Sequence, residues 1–158
     1  MCGIAGQIYS NPRYANDKEI KKMLSVIRHR GPDDLGIYID GRVVLGQRRL
    51  SIVDLSSDGK QPMQYSDKYV ISFNGEIYNY IEIREELKKE GYLFKTKTDT
   101  EVLLAAYDFW KEDCLDHFNG MWSFILYDRI LKKVFCARDR YGVKPFYYYA
   151  TEKCISFA

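Results

Sequence analysis

The sequence has few of the residues that build metal sites or disulfide frameworks. It contains only two histidines and four cysteines among 158 residues. No two of the cysteines lie at zinc-finger spacing, and two histidines would leave a zinc site dependent on distant ligands. A metal protein or a thiol-redox protein built on these cysteines is therefore poorly supported.

An excess of one charge and long apolar runs are also absent. The sequence has 24 lysines and arginines against 22 aspartates and glutamates, with no basic stripe, which argues against binding to nucleic acid or to an anionic membrane. The longest uncharged apolar stretch, residues 121–127, is far too short to span a bilayer. The N-terminus lacks the basic and apolar regions of a secretory signal, which predicts a cytoplasmic protein.

What is present is typical of a globular domain. Hydrophobic residues make up 46% of the chain and charged residues 29%, values that rule out a disordered chain. No repeat, low-complexity tract or Pro/Gly/Ser linker divides the sequence, so we predict one domain over residues 1–158. A strand-like segment reaches Ala158 without a cap or a polar tail, which favours a natural chain that continues.

Residue patterns predict both helices and strands. Apolar periodicity indicates helices over residues 17–29, 79–90 and 99–110. Strand-like runs cover residues 3–9, 36–40, 43–48, 69–73, 121–128, 133–138, 145–149 and 153–157. Asp40-Gly41 predicts a hairpin turn between two of them. Many strands in hairpin order with about three helices predict an α+β sandwich built on antiparallel sheets.

Cys2 is the most distinctive candidate for chemistry. It follows the initiator methionine, and cysteine is small enough for that methionine to be removed. Removal would leave a thiol nucleophile that carries its own general base, an α-amino group with an ordinary pKa of about 7.7–8.0. The alternative is a small apolar strand residue, because free cysteine is often buried, and position alone favours that alternative.

Asn74-Gly75 also has two interpretations. An Asn-Gly pair between apolar segments is the strongest short hairpin signal, and on these residues alone a turn is favoured. The functional interpretation is an oxyanion hole, in which the Asn74 carboxamide and the Gly75 amide donate to a developing negative oxygen.

Thr98 and Glu101 have the spacing of a capping box. Asp99 then lies in the first helical turn, where the helix dipole stabilises a negative charge by roughly 0.3–1 kcal/mol. This role is a sufficient explanation of Asp99. The alternative is a carboxylate held rigidly to receive the ammonium group of a substrate, and spacing does not decide between them.

Arg48 and Arg49 end a strand whose alternation places them on opposite faces. An inward-facing arginine needs a partner, because an unpaired buried charge is costly. A bound carboxylate would be a suitable partner. Two exposed arginines at a strand end are at least as good an interpretation.

Six motifs occur in one order along the chain. They are MCGIAG at residues 1–6, RHRGPDD at 28–34, RRLSIVD at 48–54, FNGEIYNY at 73–80, TDTE at 98–101 and RDRYGVKPFYY at 138–148. Together they resemble the glutaminase domain of asparagine synthetase, a class II glutamine amidotransferase of the N-terminal-nucleophile hydrolase family, over essentially the whole chain. The resemblance implies a four-layer αββα sandwich of two antiparallel sheets flanked by helices.

The resemblance implies catalytic roles for three residues. Cys2, exposed by loss of the methionine, is expected to attack the side-chain carbonyl of glutamine, with its α-amine as general base. Asn74 and the amide of Gly75 are expected to form the oxyanion hole. Residues Arg30 and Gly31 lie in a motif near the nucleophile but receive no chemical step.

The resemblance also implies a set of substrate-binding residues. Arg49 is expected to bind the α-carboxylate of glutamine. Asp99, with Glu76 beside the same pocket, is expected to receive the α-ammonium group. Further contacts, largely through backbone groups, are expected from Leu50, Ile52 and Val53.

The implied reaction hydrolyses the side-chain amide of free L-glutamine to glutamate and ammonia through a Cys2 γ-glutamyl thioester, without a metal or an organic cofactor. Ammonia would pass to an ATP-dependent synthetase, for which ATP and Mg²⁺ are expected. Residues 1–158 do not contain that domain, because no phosphate-binding loop such as SGGxDS is present. Asparagine is the default product. The alternatives are amidation of another acceptor, such as a sugar, or a regulatory module that binds glutamine without hydrolysing it.

Overall fold

The computed structural model describes residues 2–50 and 59–158. In these ranges the strands are β1 Gly3–Tyr9, β2 Asp34–Asp40, β3 Val43–Arg49, β4 Met63–Tyr65, β5 Tyr69–Ile77, β6 Gly120–Asp128, β7 Lys133–Arg138, β8 Tyr148–Ala150 and β9 Cys154–Phe157. The helices are α1 Asp17–Val26, α2 Tyr80–Lys89, α3 Asp99–Trp110 and α4 Cys114–His117. Among the described residues, every helix falls short of the length and apolar character that a membrane crossing requires.

The strands form two antiparallel sheets. The first has the order β2-β3-β1-β9-β8, and the second has the order β4-β5-β6-β7. In the hairpin of β2 and β3, Asp40 pairs with Val43, and Gly41 has a φ of +57°. This conformation suits glycine, and it confirms the predicted turn.

The core is divided into three apolar layers. Between the sheets lie side chains of both, among them Ile4, Leu45, Val70 and Ile125. Helix α1 covers the outer face of the first sheet, where Leu24 packs beside Val44 and excludes water from it.

Helices α2 and α3 cover the outer face of the second sheet. Leu87 of α2 and Leu103 of α3 join Phe73 and Phe124 of that sheet in one cluster. The order of layers is helix, sheet, sheet, helix, which confirms the predicted α+β, four-layer αββα sandwich.

The first helix ends earlier than its periodicity predicts. It stops at Val26, and residues Arg28–Arg30 form a 3-10 turn. The chain then passes so close to β3 that a Cβ atom added at Gly31 would lie 2.4 Å from the carbonyl oxygen of Arg48. The helix therefore ends before residue 29, because the RHRGPDD segment has to turn toward the end of β3.

The remaining differences concern strand bounds and short elements. Strand β5 extends four residues beyond its predicted end, to Ile77, and β2 begins two residues early, at Asp34. The strand predicted at 145–149 begins only at Tyr148, because a tight turn after β7 occupies the preceding residues. Strand β4 and helix α4, of three and four residues, are too short for a periodic pattern to reveal.

Candidate active site

A cleft of about 740 Å³, counting its open mouth, lies where the core between the two sheets ends. Its described walls are formed by Cys2, Arg49, Leu50, Gly59, Gln61, Phe73, Asn74, Gly75, Glu76, Thr98, Asp99, Thr100, Met121 and Lys144. The structure thus brings together seven of the nine predicted site residues. The other two, Ile52 and Val53, lie outside the described residues.

Strand alternation explains which side chains from the first sheet's side line the cleft. Successive side chains of a strand point to opposite faces. Ile4 and Leu45 lie in the core between the sheets, so Cys2, two residues before Ile4, and Arg49, four residues after Leu45, share that face. Both line the cleft.

The same alternation explains which side chains of the second sheet line the cleft. Val70 of β5 lies in the core between the sheets, so Asn74 and Glu76 share its face. Both line the cleft as well. Two sheets that face each other therefore supply opposite walls of one site.

The turn interpretation of Asn74-Gly75 is wrong. Both residues lie inside β5, where Asn74 pairs with Ser123 and Gly75 pairs with Trp122 of β6. Pairing over the whole length of the two strands outweighs the local turn preference.

The backbone N–H of Gly75 faces the cleft edge of β5. The N–H of Phe73 donates to Oε1 of Gln61 at 2.7 Å, and the N–H of Ile77 donates to Oδ2 of Asp99 at 3.0 Å. Alternate residues of a strand direct their N–H groups to the same side. The Gly75 N–H therefore points between these two bonds, beside the side chain of Asn74.

The Cys2 thiol lies against the backbone of Leu50. The Leu50 N–H donates to Sγ at 3.4 Å, and Sγ donates to the Leu50 carbonyl oxygen at 3.7 Å. Burial raises the pKa of the Cys114 and Cys136 thiols to about 12, so these two stay protonated and unreactive.

Asp99 lies both in the first turn of α3 and in the wall of the cleft. Only 6% of its surface is exposed. Burial raises the pKa of its carboxyl group to about 6, and the charge of Glu76 adds to the increase, although the bond from Ile77 opposes it. A buried carboxylate beside a second one is a suitable partner for a cationic group.

Half of the predicted capping box is wrong. Thr98 Oγ1 accepts from the Glu101 N–H at 3.2 Å, as predicted. The Glu101 carboxylate, however, accepts from the N–H groups of Lys95 and Thr96 at 2.8 and 2.6 Å, because the chain before α3 folds back over it. Arg84 binds the same loop through the carbonyl oxygens of Thr96 and Thr98, so the start of α3 is held from both sides.

The two arginines at the end of β3 point to opposite faces, as predicted. Arg48 Nε donates to the carbonyl oxygen of Leu24 in α1 at 3.0 Å. Arg49 is 9% exposed and lines the cleft. Its guanidinium lies against Gly59, where an added Cβ atom would come within 2.3 Å of a guanidinium nitrogen.

A second cavity lies next to Cys2. It occupies about 440 Å³, counting its open mouth, and shares Cys2 and Asn74 with the cleft. Its other walls are mainly apolar and consist of Gly3, Ile4, Ile27, Arg30, Pro145, Tyr147 and Ala158. Arg30, which received no role from the sequence, thus lies in the wall of this cavity.

Several cleft residues were not predicted. Gln61 and Met121 lie next to no chemical motif, and only the fold brings them to the cleft. Lys144 belongs to the RDRYGVKPFYY motif, but no spacing rule indicates that a residue of a turn after β7 lines the cleft.

Two antiparallel sheets lie between helices, and a cysteine immediately before the first strand faces a cleft between the sheets. These features define the N-terminal-nucleophile hydrolase type of fold. The fold is similar to that of glutamine phosphoribosylpyrophosphate amidotransferase from Bacillus subtilis, solved with ADP and GMP. The TM-score is 0.79 at 16% identity, over 99% of this chain and 41% of that one. The structure of the allosteric regulatory enzyme of purine biosynthesis matches with a TM-score of 0.64, also at 16% identity, over 98% of this chain and 35% of that one.

The chain belongs to the glutamine amidotransferase domain family, whose model matches residues 1–158. It is 46% identical to asparagine synthetase [glutamine-hydrolyzing] 1 of Bacillus subtilis, over 100% of the chain and 26% of that protein. It is 45% identical to the putative asparagine synthetase [glutamine-hydrolyzing] 2 of Methanocaldococcus jannaschii, over 94% of the chain and 32% of that protein. The chain thus spans about a quarter to a third of these relatives.

Proposed function

We propose that this chain hydrolyses the side-chain amide of free L-glutamine to glutamate and ammonia. The observation that carries the proposal is a single cleft whose walls contain Cys2, Asn74 and Gly75 together with two residues of opposite charge, Arg49 and Asp99. A thiol and an oxyanion site are the requirements of amide hydrolysis through a thioester. A cation and an anion in the same walls suit the two charged groups of a free amino acid.

The charged residues determine which glutamine is accepted. Arg49 forks onto the α-carboxylate, and Asp99 receives the α-ammonium group with Glu76 nearby. Peptide-bound glutamine has neither charge and would form neither of these two charge-assisted interactions, so free glutamine is preferred. Leu50, together with Ile52 and Val53, is proposed to contact the substrate through backbone groups.

The reaction begins when the Cys2 sulfur attacks the side-chain carbonyl carbon and its proton passes to the α-amine of the same residue. The negative charge on the carbonyl oxygen is stabilised by the Asn74 carboxamide and the Gly75 N–H. The amine then protonates the departing nitrogen, which leaves as ammonia. Water hydrolyses the γ-glutamyl thioester, so this half-reaction as proposed uses protein groups only.

We further propose that the ammonia serves an ATP-dependent synthetase. The relatives are three to four times longer than this chain and carry the name asparagine synthetase, which favours asparagine as the product. The second cavity, apolar and adjacent to Cys2, offers ammonia a route away from the cleft. It reaches Tyr147, which with Tyr148 and Tyr149 exposes more than 70% of its surface, and such patches mark interaction sites.

In this proposal the synthetase covers the three tyrosines, and ATP and Mg²⁺ bind to the synthetase alone. The same tyrosines would then be buried in the complete enzyme. We also expect a cytoplasmic location.

Mass spectrometry and affinity labelling test the proposal. The intact mass should show loss of Met1, because only then does Cys2 carry the free amine. A diazoketone analogue of glutamine should modify Cys2 alone, and L-glutamine should protect it. The Cys2→Ala variant, which retains Cys154, should not be labelled. Retained methionine would favour a non-hydrolysing binding module, and an adduct on another residue would contradict the mechanism.

A further inference from the structure

Gln61 lines the cleft, and the proposed hydrolysis gives it no role. It lies two residues before β4, on the edge of β5 that β4 leaves open, since the pairing of β4 with β5 ends at Met63 and Ile71. Continued by two residues on each strand, this antiparallel register sets Gln61 opposite Phe73. There Oε1 of Gln61 accepts from the Phe73 N–H at 2.7 Å. The Gln61 side chain therefore continues the bonding of this edge into the cleft.

The two bonds of the Gln61 carboxamide determine its orientation. The Phe73 N–H is only a donor, so Oε1 faces it and Nε2 is the donor of the second bond, to Thr100 Oγ1 at 3.3 Å. Because Thr100 Oγ1 accepts that bond, its own hydrogen is left to point to Asp99, whose Oδ1 lies 3.5 Å away. One side chain thus joins β5 to the first turn of α3.

Asp99 makes a second attachment between α3 and the same strand. Its Oδ2 accepts from the Ile77 N–H at 3.0 Å, so the first turn of α3 is held to β5 at Ile77 as well as at Phe73. Gly75, the proposed oxyanion donor, lies midway between these two points. The distance from the Asp99 carboxylate to the oxyanion site therefore depends on both attachments.

The backbone of Gln61 packs against the first sheet. A Cβ atom added at Gly36 in β2 would lie 1.9 Å from the Gln61 carbonyl oxygen, so this close approach requires a glycine. Gly36 pairs with Gln47 of β3. Contact with the first sheet on one side and bonds to β5 and α3 on the other restrict Gln61, so it can keep the start of α3 in place.

We propose that Gln61 is a positioning residue, which through Thr100 holds the Asp99 carboxylate where the α-ammonium group of glutamine binds. This inference rests on the proposed glutamine hydrolysis. The ammonium group is present in the bound substrate and in the transition state alike, so a displaced Asp99 weakens the binding of both equally. The effect of losing Gln61 therefore falls on KM and not on kcat.

Steady-state kinetics of Gln61→Met, in the protein that has lost Met1, test the inference. Methionine has a similar length and makes neither bond, and we expect KM for glutamine to rise about 3- to 10-fold, the range of one hydrogen bond, with kcat within about twofold of the parent. Gln64→Met makes the same replacement at an exposed residue of β4 and should match the parent.

A double variant tests the connection through Thr100. Thr100→Val removes the hydroxyl group at similar size and should raise KM by a similar factor. Because both changes interrupt the same connection, the KM of the variant with Gln61→Met and Thr100→Val together should be close to that of either single variant.

Glutaramate, which is glutamine without its α-amino group, separates the positioning of Asp99 from a general loosening of the cleft. It has no ammonium group for Asp99 to receive, so its Ki as an inhibitor of glutamine hydrolysis should stay within about twofold in Gln61→Met, while KM for glutamine rises. Neither constant depends on how much of a preparation is folded, so a loss of folded protein does not imitate this result.

Three outcomes would each overturn the inference: a Ki for glutaramate that rises as much as KM, a fall in kcat at unchanged KM, or single-variant effects on KM that multiply in the double variant. If the parent itself fails to hydrolyse glutamine, the proposed function fails instead, so the two failures are distinct.

Discussion

Replacement of Asp99 by asparagine should stabilise the fold and weaken substrate binding at the same time. Burial raises the pKa of this carboxyl group from 3.8 to about 6. Each tenfold change in acidity corresponds to about 1.4 kcal/mol, so the charged form costs the folded state about 3 kcal/mol at neutral pH. Asparagine avoids this cost, and its Oδ1 can still accept from the Ile77 N–H.

The raised pKa of Asp99 determines how its effect on stability changes with pH. Because the folded-state pKa is the higher one, the folded protein holds this proton more tightly than the unfolded chain. The contribution of Asp99 to stability is therefore fully present below its ordinary pKa of 3.8 and is lost as pH rises through about 6. The difference in unfolding free energy between Asp99→Asn and the parent should grow from about 0.5 kcal/mol at pH 4 to about 3 kcal/mol at pH 7.5.

Urea unfolding at several pH values between 4 and 8 measures this difference. Asp116→Asn is a matched control, because its side chain is 86% exposed and its replacement should change stability little at any pH. In parallel, the KM of Asp99→Asn for glutamine should rise about 10- to 100-fold, the range of a lost hydrogen bond to a charged group. The reasoning is refuted if Asp99→Asn is less stable than the parent at pH 7.5, or if the difference does not vary with pH.

Three further substitutions test which cleft residues act in turnover and which act in substrate binding. Asn74→Ala should lower kcat about 10²- to 10³-fold with little change in KM, because its carboxamide is proposed to bind the intermediate, whereas Arg49→Ala should raise KM with a smaller effect on kcat. The reverse pattern in these two kinetic measurements would contradict both assignments. Gly59→Ala should raise KM with almost unchanged urea stability, because the new methyl group would displace the flexible guanidinium of Arg49. A large loss of stability at unchanged KM would show that the backbone gives way instead.

Local periodicity predicted the elements that pack through one regular face. Helix α3 and strand β7 begin and end at the predicted residues, and α2 differs by one residue at each end. The predicted alternation at Arg48 and Arg49 is confirmed for the same reason, since it follows from strand geometry alone.

Features that depend on distant partners were not predictable in this way. The turn interpretation of Asn74-Gly75 fails because strand β6, more than 40 residues later, pairs with both residues. The oxyanion interpretation of these two residues was open from their chemistry alone, and the resemblance favoured it. Lys144 could not be found from spacing, because its place in the cleft depends on four backbone bonds to Asp139.

In the described part of the chain, the cleft lies between two separate sheets. Cys2 immediately precedes β1 and Arg49 ends β3 of the first sheet, whereas Asn74 lies in β5 of the second. Near the cleft, Gln47 Nε2 reaches across and donates to the Phe73 carbonyl oxygen at 2.8 Å. The distance between Cys2 and Asn74 therefore depends on how the two sheets pack against each other. A cavity-forming change in the layer between them, such as Ile125→Ala, should lower kcat at temperatures well below the midpoint of thermal unfolding.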